Sequence, residues 1–501
     1  MTLSNNHGEG GQAAIAAALE SGAATSEPGP LRRISTHLSH VFLGRERVYK
    51  LKRAVRLPFV DFSSLEQRRA ACEAELELNR RFAGPLYERV LPVTRLADGQ
   101  VRLGGDGAAL DWVVVMRRFE DGALLDELAR AGRLEPALVG EAAQAIARFH
   151  AEAASVPGAG RPEDYLAIVR GLRRTEADGA AAHGLGPGPD GLYAALEAEI
   201  GLRATLIERR RHAGKVRRGH GDLHLRNICL FEGRAVPFDA LEFDPALATA
   251  DVLYDVAFLL MDLRRRGLLG HACLAMNAYW DAAGEEEDGL ALLPLFMALR
   301  AAVRSAVAME AGDPGEAEAY RELGLELLAP SQPRLVAVGG LSGSGKSALA
   351  RRLAPDLPGV CGARLLRTDV IRKAGHPQAE ALGPDAYSPA RRAAVYAELA
   401  EHARQALAAG ASVILDATFQ EPEERARLLA VGSVAALWLR ASTETRLDRV
   451  RGRTGDASDA DARVATAQTE PDLEPGWTVL DAEGALEGTL ARARAALDLP
   501  S

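Results

Sequence analysis

The sequence is poor in cysteine, and its few cysteines are far apart. Only four occur among 501 residues, namely Cys72, Cys229, Cys273 and Cys361, and no two form a C-x-x-C pair. This spacing excludes a disulfide framework and favours a chain that stays in a reducing compartment. We expect each cysteine to be a small buried hydrophobic residue.

Positive charge and long apolar runs are also lacking. The net charge is −9, so no overall basic field for nucleic acid or an anionic membrane is present. No uninterrupted apolar run approaches the roughly 18 residues of a membrane-spanning helix, and residues 1–10 lack the Lys or Arg of a signal peptide. The acidic stretch Glu285–Asp288 is predicted to be a solvated loop. We therefore expect a cytoplasmic protein that binds neither membranes nor nucleic acid.

What the sequence does contain is an ordinary globular composition arranged in distinct regions. Hydrophobic residues make up 48% and charged residues 26%, as in soluble globular domains, and the length suits about three folding units. Residues 31–119 look rich in strands and residues 120–328 mostly helical, whereas strands and helices alternate over 335–501. Residues 1–30 are predicted to be a flexible segment in which Gln12–Leu19 could form a short helix with loose ends. The proline-containing stretch 329–334 is predicted to be a linker.

The most specific motif lies at the start of the alternating region, for which a parallel sheet with crossover helices is predicted. The apolar residues Leu335–Val338 precede the stretch Gly340–Ser347, which matches G-x-x-x-x-G-K-S, and a helical run follows. In this context glycines let backbone N–H groups and the helix N-terminus surround phosphate oxygens. We therefore expect Mg²⁺ on the Ser347 hydroxyl and ATP phosphates at Gly340, Ser342, Gly343, Ser344, Gly345 and Lys346.

Two aspartates follow later predicted strands of the same region. Asp369 comes after the strand Arg364–Arg367, at an edge that faces the ligand in open parallel sheets. There it could take a proton from the acceptor hydroxyl, and Arg372 could hold an anionic group. Asp416 follows the strand Ser412–Leu415 and suits a Walker-B-like contact with Mg²⁺. The alternative is that both aspartates only end strands or cap helices.

A series of arginines then precedes a stretch that contains glycine and aspartate, and this series resembles the lid of a small kinase. Its members are Arg446, Arg449, Arg451 and Arg453. Arginines in such a lid neutralise charge in the transition state and exclude water, and Arg449 and Arg453 are our candidates. A solvated basic helix is the alternative. The whole region resembles small P-loop kinases such as gluconate kinase, polynucleotide 5′-kinase domains, zeta-toxin-like kinases and chloramphenicol phosphotransferases.

A second constellation lies upstream, in the mostly helical region. The stretch Arg218–Ile228 contains Asp222 and Asn227 at kinase catalytic-loop spacing, and Asp239 lies in a short strand-like run further on. Phosphoryl transfer needs one carboxylate to take the acceptor proton, and a carboxamide and a second carboxylate to hold Mg²⁺. One alternative is a zinc site, because His220 and His224 are spaced like metal ligands. The others are a turn without function and an inactive kinase-like domain.

The residue after His220 is Gly221 rather than arginine, which resembles the aminoglycoside phosphotransferase and choline kinase branch of the kinase-like fold. The segment Asp251–Asp255 also resembles that branch. The resemblance implies that Asp222 is the catalytic base and that Asp255 supports the loop. It further implies that the metal ligands are Asn227 and Asp239.

The region rich in strands offers a lysine for the ATP phosphates. A predicted hairpin joins Ser39–Leu43 to Val48–Lys52. In kinases a lysine on the third strand pairs with a glutamate on the next helix. Lys50 suits this role because Val48 would then face the adenine, and Lys52, which shares its face, is the alternative.

The partner of that lysine is predicted on the helix that follows. Glu75 is the first choice and Glu73 the second, and an exposed charged helix face is the alternative. Met116 ends a buried strand and suits a hinge over the adenine. No G-x-G-x-x-G motif covers the phosphates, since Ser35–Ser39 occupies that position. Aminoglycoside phosphotransferases lack this motif as well, so its absence separates the region from protein kinases only.

The two halves together resemble bacterial proteins in which an aminoglycoside phosphotransferase-like domain is fused to a P-loop kinase-like domain. The resemblance implies a two-lobed α+β kinase-like domain at 31–328, with its N-lobe at 31–119 and its C-lobe at 120–328. An α/β P-loop domain with a parallel sheet would follow at 335–501.

The leading hypothesis is an ATP-dependent phosphotransferase with two ATP–Mg²⁺ sites that acts on hydroxyl groups of small molecules. A regulatory protein in which one domain only senses ATP is the first alternative. A toxin-like P-loop kinase held in check by the N-terminal module is the second. Neither the acceptors nor the oligomeric state can be predicted from these motifs, because acceptor specificity depends on individually placed polar groups.

Overall fold

The computed structural model describes residues 9–57, 60–186, 188–244, 246–373, 384–452 and 462–500. Contacts divide the chain into two compact units. The first comprises Met1–Tyr165 and Ala204–Leu259, and the second comprises Leu166–Arg203 and Leu260–Ser501. The helices between residues 260 and 328 are thus grouped with the C-terminal sheet by their contacts. The sequence-based domain boundaries at 328 and 335 stay a prediction.

The elements up to Arg265 follow in chain order. They are α1 (Glu9–Glu20), β1 (Arg32–Ser35), β2 (Ser39–Leu43), β3 (Arg47–Lys52), β4 (Arg56–Leu57), β5 (Val60–Asp61), α2 (Leu65–Ala83), β6 (Tyr87–Arg95), β7 (Val101–Leu103), β8 (Ala109–Arg117), α3 (Leu125–Arg130), α4 (Pro136–Glu152), α5 (Pro162–Ala182), α6 (Gly191–His212), β9 (Val216–Arg218), β10 (Ile228–Phe231), β11 (Arg234–Pro237), β12 (Thr249–Asp251) and α7 (Val252–Arg265).

An antiparallel sheet of six strands, in the order β1-β2-β3-β8-β6-β7, forms the main layer of the first unit. The predicted hairpin is present as β2 and β3, with Val41 opposite Lys50. Helix α2 packs against β6 and β8. A capping box starts this helix, because the Ser64 side chain accepts from the Gln67 backbone and the Gln67 side chain accepts from the Ser64 backbone.

Helix α1 lies in the segment predicted to be flexible, yet it is packed onto the sheet. Ile15 and Leu19 are buried in the same hydrophobic core as the sheet residues. Gln12 Nε2 donates to the Lys52 carbonyl oxygen at 2.8 Å and to Asp111 Oδ2 at 2.6 Å. The short helix expected at Gln12–Leu19 is therefore present as α1, attached to the sheet by an apolar face and a buried glutamine. The flexibility of the segment as a whole stays a prediction.

Beyond Arg265 the elements continue in chain order. They are α8 (Leu269–Ala283), α9 (Leu293–Glu310), α10 (Pro314–Leu328), β13 (Leu335–Gly340), α11 (Lys346–Leu353), β14 (Arg364–Arg367), α12 (Thr368–Lys373), α13 (Pro389–Ala408), β15 (Val413–Asp416), α14 (Pro422–Leu429), β16 (Val434–Arg440), α15 (Thr443–Arg451), α16 (Ala462–Ala467), β17 (Trp477–Asp481) and α17 (Leu486–Ala496).

A parallel sheet of five strands, in the order β14-β15-β13-β16-β17, is the centre of the second unit, as predicted. The central strand β13 is buried along its whole length, which explains its unbroken apolar sequence. The register places Asp416 beside Val338 on one neighbouring strand and beside Arg367 on the other. The carboxyl ends of these strands therefore meet at one edge of the sheet.

The edge strand β14 is covered by a side chain from helix α8. Asn277 Nδ2 donates to the Ala363 carbonyl oxygen at 3.0 Å, and the Leu365 N–H donates to Asn277 Oδ1 at 2.7 Å. The carboxamide thus continues the hydrogen-bond pattern of the sheet. Covering an edge in this way prevents the strand from pairing with another chain.

The acidic stretch Glu285–Asp288 is not the solvated loop that the sequence predicts. Glu285 is 5% exposed and Glu287 is fully buried. Arg364 Nε donates to both carboxylate oxygens of Glu287 at 3.1 and 3.0 Å, and its Nη1 lies 2.7 Å from Asp281 Oδ1. The prediction is wrong because a buried guanidinium supplies the counter-charge that the sequence pattern did not show.

One apolar segment among the described residues, Glu287–Glu310, has the length and composition of a membrane-spanning helix. Its mean hydropathy is 1.6, but 78% of its apolar window is buried inside the fold. Helix α9, which forms most of the segment, packs extensively against α10. A core helix has the same composition, so the segment is accounted for by packing.

Candidate active sites

The first candidate site lies beside β3, where charged side chains from distant parts of the chain meet. Lys50 Nζ lies 2.8 Å from Glu75 Oε1 and 2.5 Å from Asp239 Oδ1. Burial alone would lower the pKa of Lys50, but the carboxylates of Asp239 and Glu75 outweigh it and raise this pKa well above its ordinary value. The lysine is therefore charged, and the partly exposed Asp239 leaves it accessible from one side.

The structure distinguishes the two candidate lysines and the two candidate glutamates by position. Lys50 lines a cavity, whereas Lys52 is 2% exposed and its ammonium contacts Glu75 and Glu242. Glu75 is fully buried, whereas Glu73 is half exposed and pairs with a neighbouring arginine. The geometry thus brings Lys50 and Glu75 together at the cavity and places Lys52 behind them.

The cavity beside Lys50 has a volume of about 380 Å³. Apolar side chains and charged side chains both line it, and Lys50 and Asp239 are among the charged ones. Met116 is one of the apolar residues of this lining, and its role as a hinge over an adenine ring stays a prediction. The other apolar side chains of the lining are Ile34, Val41, Leu43, Val48, Phe119, Leu124 and Phe238.

The predicted catalytic loop brings Asp222 and Asn227 into direct contact. Asn227 Nδ2 donates to the Asp222 carbonyl oxygen at 3.0 Å and to Asp222 Oδ2 at 2.9 Å. A short 3₁₀ turn, Leu225–Asn227, sets this spacing. The Asp222 side chain is about one-third exposed. Since the amide nitrogen of Asn227 orients the carboxylate, its amide oxygen is the end left for a metal ion.

Asp255 supports the loop from below, in the place that the resemblance implies. Its two carboxylate oxygens accept from the backbone N–H groups of His220 and Gly221, each at 2.8 Å. His150, which sequence reasoning missed, lies 3.0 Å from the same carboxylate. A Cβ on Gly219 would collide with Asp255, so glycine there is required by this close approach.

The histidines of the loop have partners other than a zinc ion. His220 Nε2 lies 2.9 Å from the Phe238 carbonyl oxygen, and burial lowers the pKa of His220 despite the nearby Asp255. His224 Nε2 lies 3.4 Å from Asp222 Oδ2. Within the described ranges no group of three or more His, Cys, Asp or Glu side chains is arranged to hold a metal ion. The zinc alternative therefore has no support.

Asp239 has a backbone conformation that is rare outside glycine, with φ at +62°. Such left-handed residues cost about 1–3 kcal/mol and persist where the surroundings hold them. Tyr87 provides one such hold, since the Asp239 N–H donates to the Tyr87 hydroxyl at 3.2 Å. Sequence reasoning missed Tyr87, because no local signal connects a residue of β6 with a loop so far along the chain.

The second candidate site is the loop between β13 and α11. Gly340, Gly343 and Gly345 have φ values of +145°, +85° and +97°, which L side chains rarely adopt. A Cβ on Gly343 would also collide with the Arg446 carbonyl oxygen. Ser344 Oγ is buried without a hydrogen-bond partner among the described residues. An unpaired buried hydroxyl at the start of a helix fits a cradle made for phosphate.

The remaining motif side chains are held by the protein's own groups. Lys346 Nζ donates to the Leu341 carbonyl oxygen at 3.0 Å, and Ser347 Oγ donates to Asp416 Oδ2 at 2.6 Å. The Ser342 N–H donates to Gln468 Oε1 at 2.8 Å. A cavity of about 640 Å³ opens beside this loop, and its lining includes Gly343, Ser344, Gly345, Lys346, Ser347, Arg351 and Arg449.

Of the predicted base and lid residues, Arg449 reaches the loop and Asp369 does not line the cavity. Asp369 Oδ1 lies 2.8 Å from Arg372 Nη1, and neither residue lines the cavity beside the loop. Arg449 does reach the loop, since its Nη1 donates to the Ser344 carbonyl oxygen at 3.3 Å. Arg453 lies outside the described residues.

Arg446, the first arginine of the predicted lid, is buried and holds backbone rather than facing the cavity. Its Nη1 donates to the carbonyl oxygens of Ala465 at 3.0 Å and Ser342 at 3.4 Å. Arg451 is exposed and pairs with Asp448. A solvated helix face therefore describes Arg451, but not Arg446 or Arg449.

Comparison with known families gives two matches on this chain. Residues 45–293 match the phosphotransferase enzyme family, and residues 335–471 match the AAA domain. The uncharacterized protein Rv2004c of Mycobacterium tuberculosis is 31% identical over 484 residues, which cover 91% of this chain and 93% of that protein. The uncharacterized protein Mb2027c of Mycobacterium bovis matches to the same extent.

Solved structures match each part of the chain separately. A sugar kinase from Janibacter sp. HTCC2649 is 26% identical, with 33% of this chain and 95% of that chain covered and a TM-score of 0.27. The GDP complex of aminoglycoside 2′-phosphotransferase-IIIa is 13% identical, with 63% and 98% covered and a TM-score of 0.39. By the family matches and the full-length relatives, this chain belongs to the family of phosphotransferases that join an aminoglycoside phosphotransferase-like kinase domain to a C-terminal P-loop kinase domain.

Proposed function

We propose that the chain has two separate ATP–Mg²⁺ sites, each of which transfers the γ-phosphoryl group to a hydroxyl of a small molecule. The observation that carries this proposal is the presence of two cavities, of about 380 and 640 Å³. Lys50 and Asp239 line the first, and Lys346 and Ser347 line the second. Each cavity thus has a lysine for phosphate and an oxygen ligand of the kind that Mg²⁺ prefers.

In the first site Lys50 would bind ATP phosphates, held in place by Glu75. Asp222 would accept the proton of the acceptor hydroxyl as that oxygen attacks phosphorus, and the hydrogen bond from Asn227 orients its carboxylate. Asn227 and Asp239 would hold Mg²⁺, which supplies positive charge against the phosphates. Asp255 positions this loop without touching the reactants.

In the second site the backbone N–H groups of Gly340–Ser347 would surround the phosphates, with Lys346 released from the Leu341 carbonyl oxygen to reach them. Ser347 and Asp416 would hold Mg²⁺. Asp369 would accept the acceptor proton, and its ion pair with Arg372 would orient the carboxylate. Arg449 and Arg453 would stabilise charge on the transferred group.

The same proposal includes the setting of these sites. We place the kinase-like domain at 31–328 and the P-loop domain at 335–501, joined by the linker 329–334, and we expect a cytoplasmic protein. The acceptors are small hydroxylated molecules rather than nucleic acid, since the net charge of −9 provides no basic field.

The test is transfer of label from [γ-³²P]ATP to a library of small hydroxylated metabolites, measured on the wild-type protein and on Asp222→Asn and Lys346→Ala. Each variant is expected to lose a different set of labelled products and to keep the other set. If Asp222→Asn keeps every product, the first site does not catalyse, and the hypothesis of an ATP-sensing domain replaces ours. If Asp369→Ala keeps the products that depend on Lys346, the base assigned to the second site is wrong.

A further inference from the structure

An arginine that no motif includes stands against the metal ligands of the second site. Arg367 is the last residue of β14, and the parallel register sets it beside Asp416 on β15. Its Nε donates to Asp416 Oδ2 at 3.1 Å, and its Nη2 donates to Ser347 Oγ at 3.2 Å. The guanidinium therefore contacts both groups that would hold Mg²⁺.

The burial of these groups explains why the arginine is there. The side chains of Arg367 and Asp416 are 8% and 5% exposed. A carboxylate so far from water needs a counter-charge, and without one it is strongly destabilised. Arg367 supplies that charge, and Ser347 Oγ donates to the same carboxylate oxygen.

A divalent cation at Ser347 and Asp416 would meet the positive charge of Arg367 at short range, where repulsion in a buried site is strong. The phosphates of ATP would offset this repulsion, because they bring several negative charges to the same place. The free metal ion and the metal–nucleotide complex should therefore differ in how well they bind.

We propose that Arg367 is the resident counter-ion of the second site, which keeps a divalent metal ion from binding there before the nucleotide. On this proposal the metal ion binds together with ATP, and the ion pair of Arg367 with Asp416 is weakened or broken when it does. This inference rests on the proposed function only in taking Ser347 and Asp416 as the metal ligands.

The test is the binding of Mn²⁺ to the full chain, measured from the electron paramagnetic resonance signal of the free ion. All proteins carry Asp239→Asn, which removes a proposed metal ligand from the first site. Without nucleotide, Arg367→Gln is expected to bind Mn²⁺ about tenfold more tightly than the parent, as expected for removing a like charge from a buried site. With a non-hydrolysable ATP analogue, this difference should largely disappear. Arg352→Gln, an exposed arginine on α11, is the matched control and should change neither affinity.

Unchanged or weaker Mn²⁺ binding by Arg367→Gln without nucleotide overturns the inference. Arg367→Lys keeps the charge and tests the same point if the glutamine variant does not fold. It is expected to bind Mn²⁺ as weakly as the parent without nucleotide, and tight binding by this variant contradicts the inference. Ser347→Ala distinguishes a failure of this inference from a failure of the proposed function. If it leaves nucleotide-dependent Mn²⁺ binding intact, the metal ligands assigned in the proposed function are wrong.

Discussion

Both candidate sites have a lysine and oxygen ligands, but the two sites differ in how far apart these residues lie in the chain. In the first, Lys50, Glu75 and Asp239 come from a strand, a helix and a loop that are far apart in the chain. In the second, Lys346 and Ser347 both belong to the consecutive stretch Gly340–Ser347, and Asp416 comes from a later strand. The first site therefore depends on how several elements pack, whereas the second depends mainly on local backbone conformation.

The sites also differ in the charge that faces the metal ligand. Asp239 is 42% exposed and its partner is Lys50, the residue proposed to bind phosphate. Asp416 is 5% exposed, and its partner Arg367 belongs to no phosphate-binding motif. On the proposed roles, Lys50 would pass from the Asp239 carboxylate to phosphate, whereas Asp416 has a separate counter-ion in Arg367.

The largest expected effect separates the chemistry of the two sites. Asp222→Asn should lower the rate of transfer at the first site by about 10²–10⁴-fold, because the acceptor proton loses its base. Transfer that depends on Lys346 should be unchanged. The rates are measured on products assigned to each site, with Glu141→Gln, an exposed residue of α4, as the control. A fall in both rates would show that the sites are not independent.

The next comparison concerns the two lysines of β3. Lys52→Met should lower the free energy of unfolding of the first unit by about 3–5 kcal/mol, because Glu242 and Glu75 lose a buried partner. Lys50→Met should cost less, since Lys52 still pairs with Glu75, but it should remove ATP binding at the first site. Urea unfolding and nucleotide titration measure the two effects. If Lys52→Met abolishes ATP binding without loss of stability, Lys52 rather than Lys50 is the lysine that binds ATP.

Gly343→Ala tests whether the second site depends on the local backbone conformation, because it adds one methyl group to the loop. Gly343→Ala should strain the loop by about 1–3 kcal/mol, because φ is +85° and the added Cβ would meet the Arg446 carbonyl oxygen. Weaker nucleotide binding at the second site and unchanged binding at the first are expected. Gly432→Ala, where an added Cβ meets no atom within 4 Å, is the control. Equal nucleotide affinities for both variants would contradict the proposed cradle.

The smallest expected effect is a pH dependence of the second unit. The hydrogen bond to Glu287 raises the pKa of His402. The stabilisation from this pair is fully present below the ordinary histidine pKa of about 6.5 and is lost as the pH rises through the raised value. Thermal unfolding across this range should therefore show a decline in the wild-type protein that His402→Gln lacks. The decline should be small, since the His402 side chain is about one-third exposed. Identical pH profiles would contradict it.

Local patterns allowed much of both sites to be predicted. The glycines of Gly340–Ser347 need particular φ values that only a short stretch must satisfy, and the spacing of Asp222 and Asn227 is set within a single turn. The alternation of apolar strands and helices also predicted the parallel sheet, since it reflects burial on both faces. These features depend on neighbours in sequence.

The features that escaped prediction depend on neighbours in space. Arg367 meets Asp416 only through the register of two parallel strands. The sequence does show a charged residue at the end of the predicted strand, just before Thr368 and Asp369, but not which residue it would contact. Glu287 is buried because Arg364 faces it, and Tyr87 reaches the Asp239 backbone from another element. Pairings of this kind have no periodicity in the sequence and follow from packing alone.

The central claim, two independent nucleotide sites, is tested most directly by counting them. Isothermal titration calorimetry with the Mg²⁺ complex of a non-hydrolysable ATP analogue measures the binding stoichiometry of the full chain. We expect two sites in the wild-type protein, one in Lys50→Met, one in Lys346→Ala and none in the double variant. A single site in the wild-type protein, or the loss of both sites in either single variant, would contradict it.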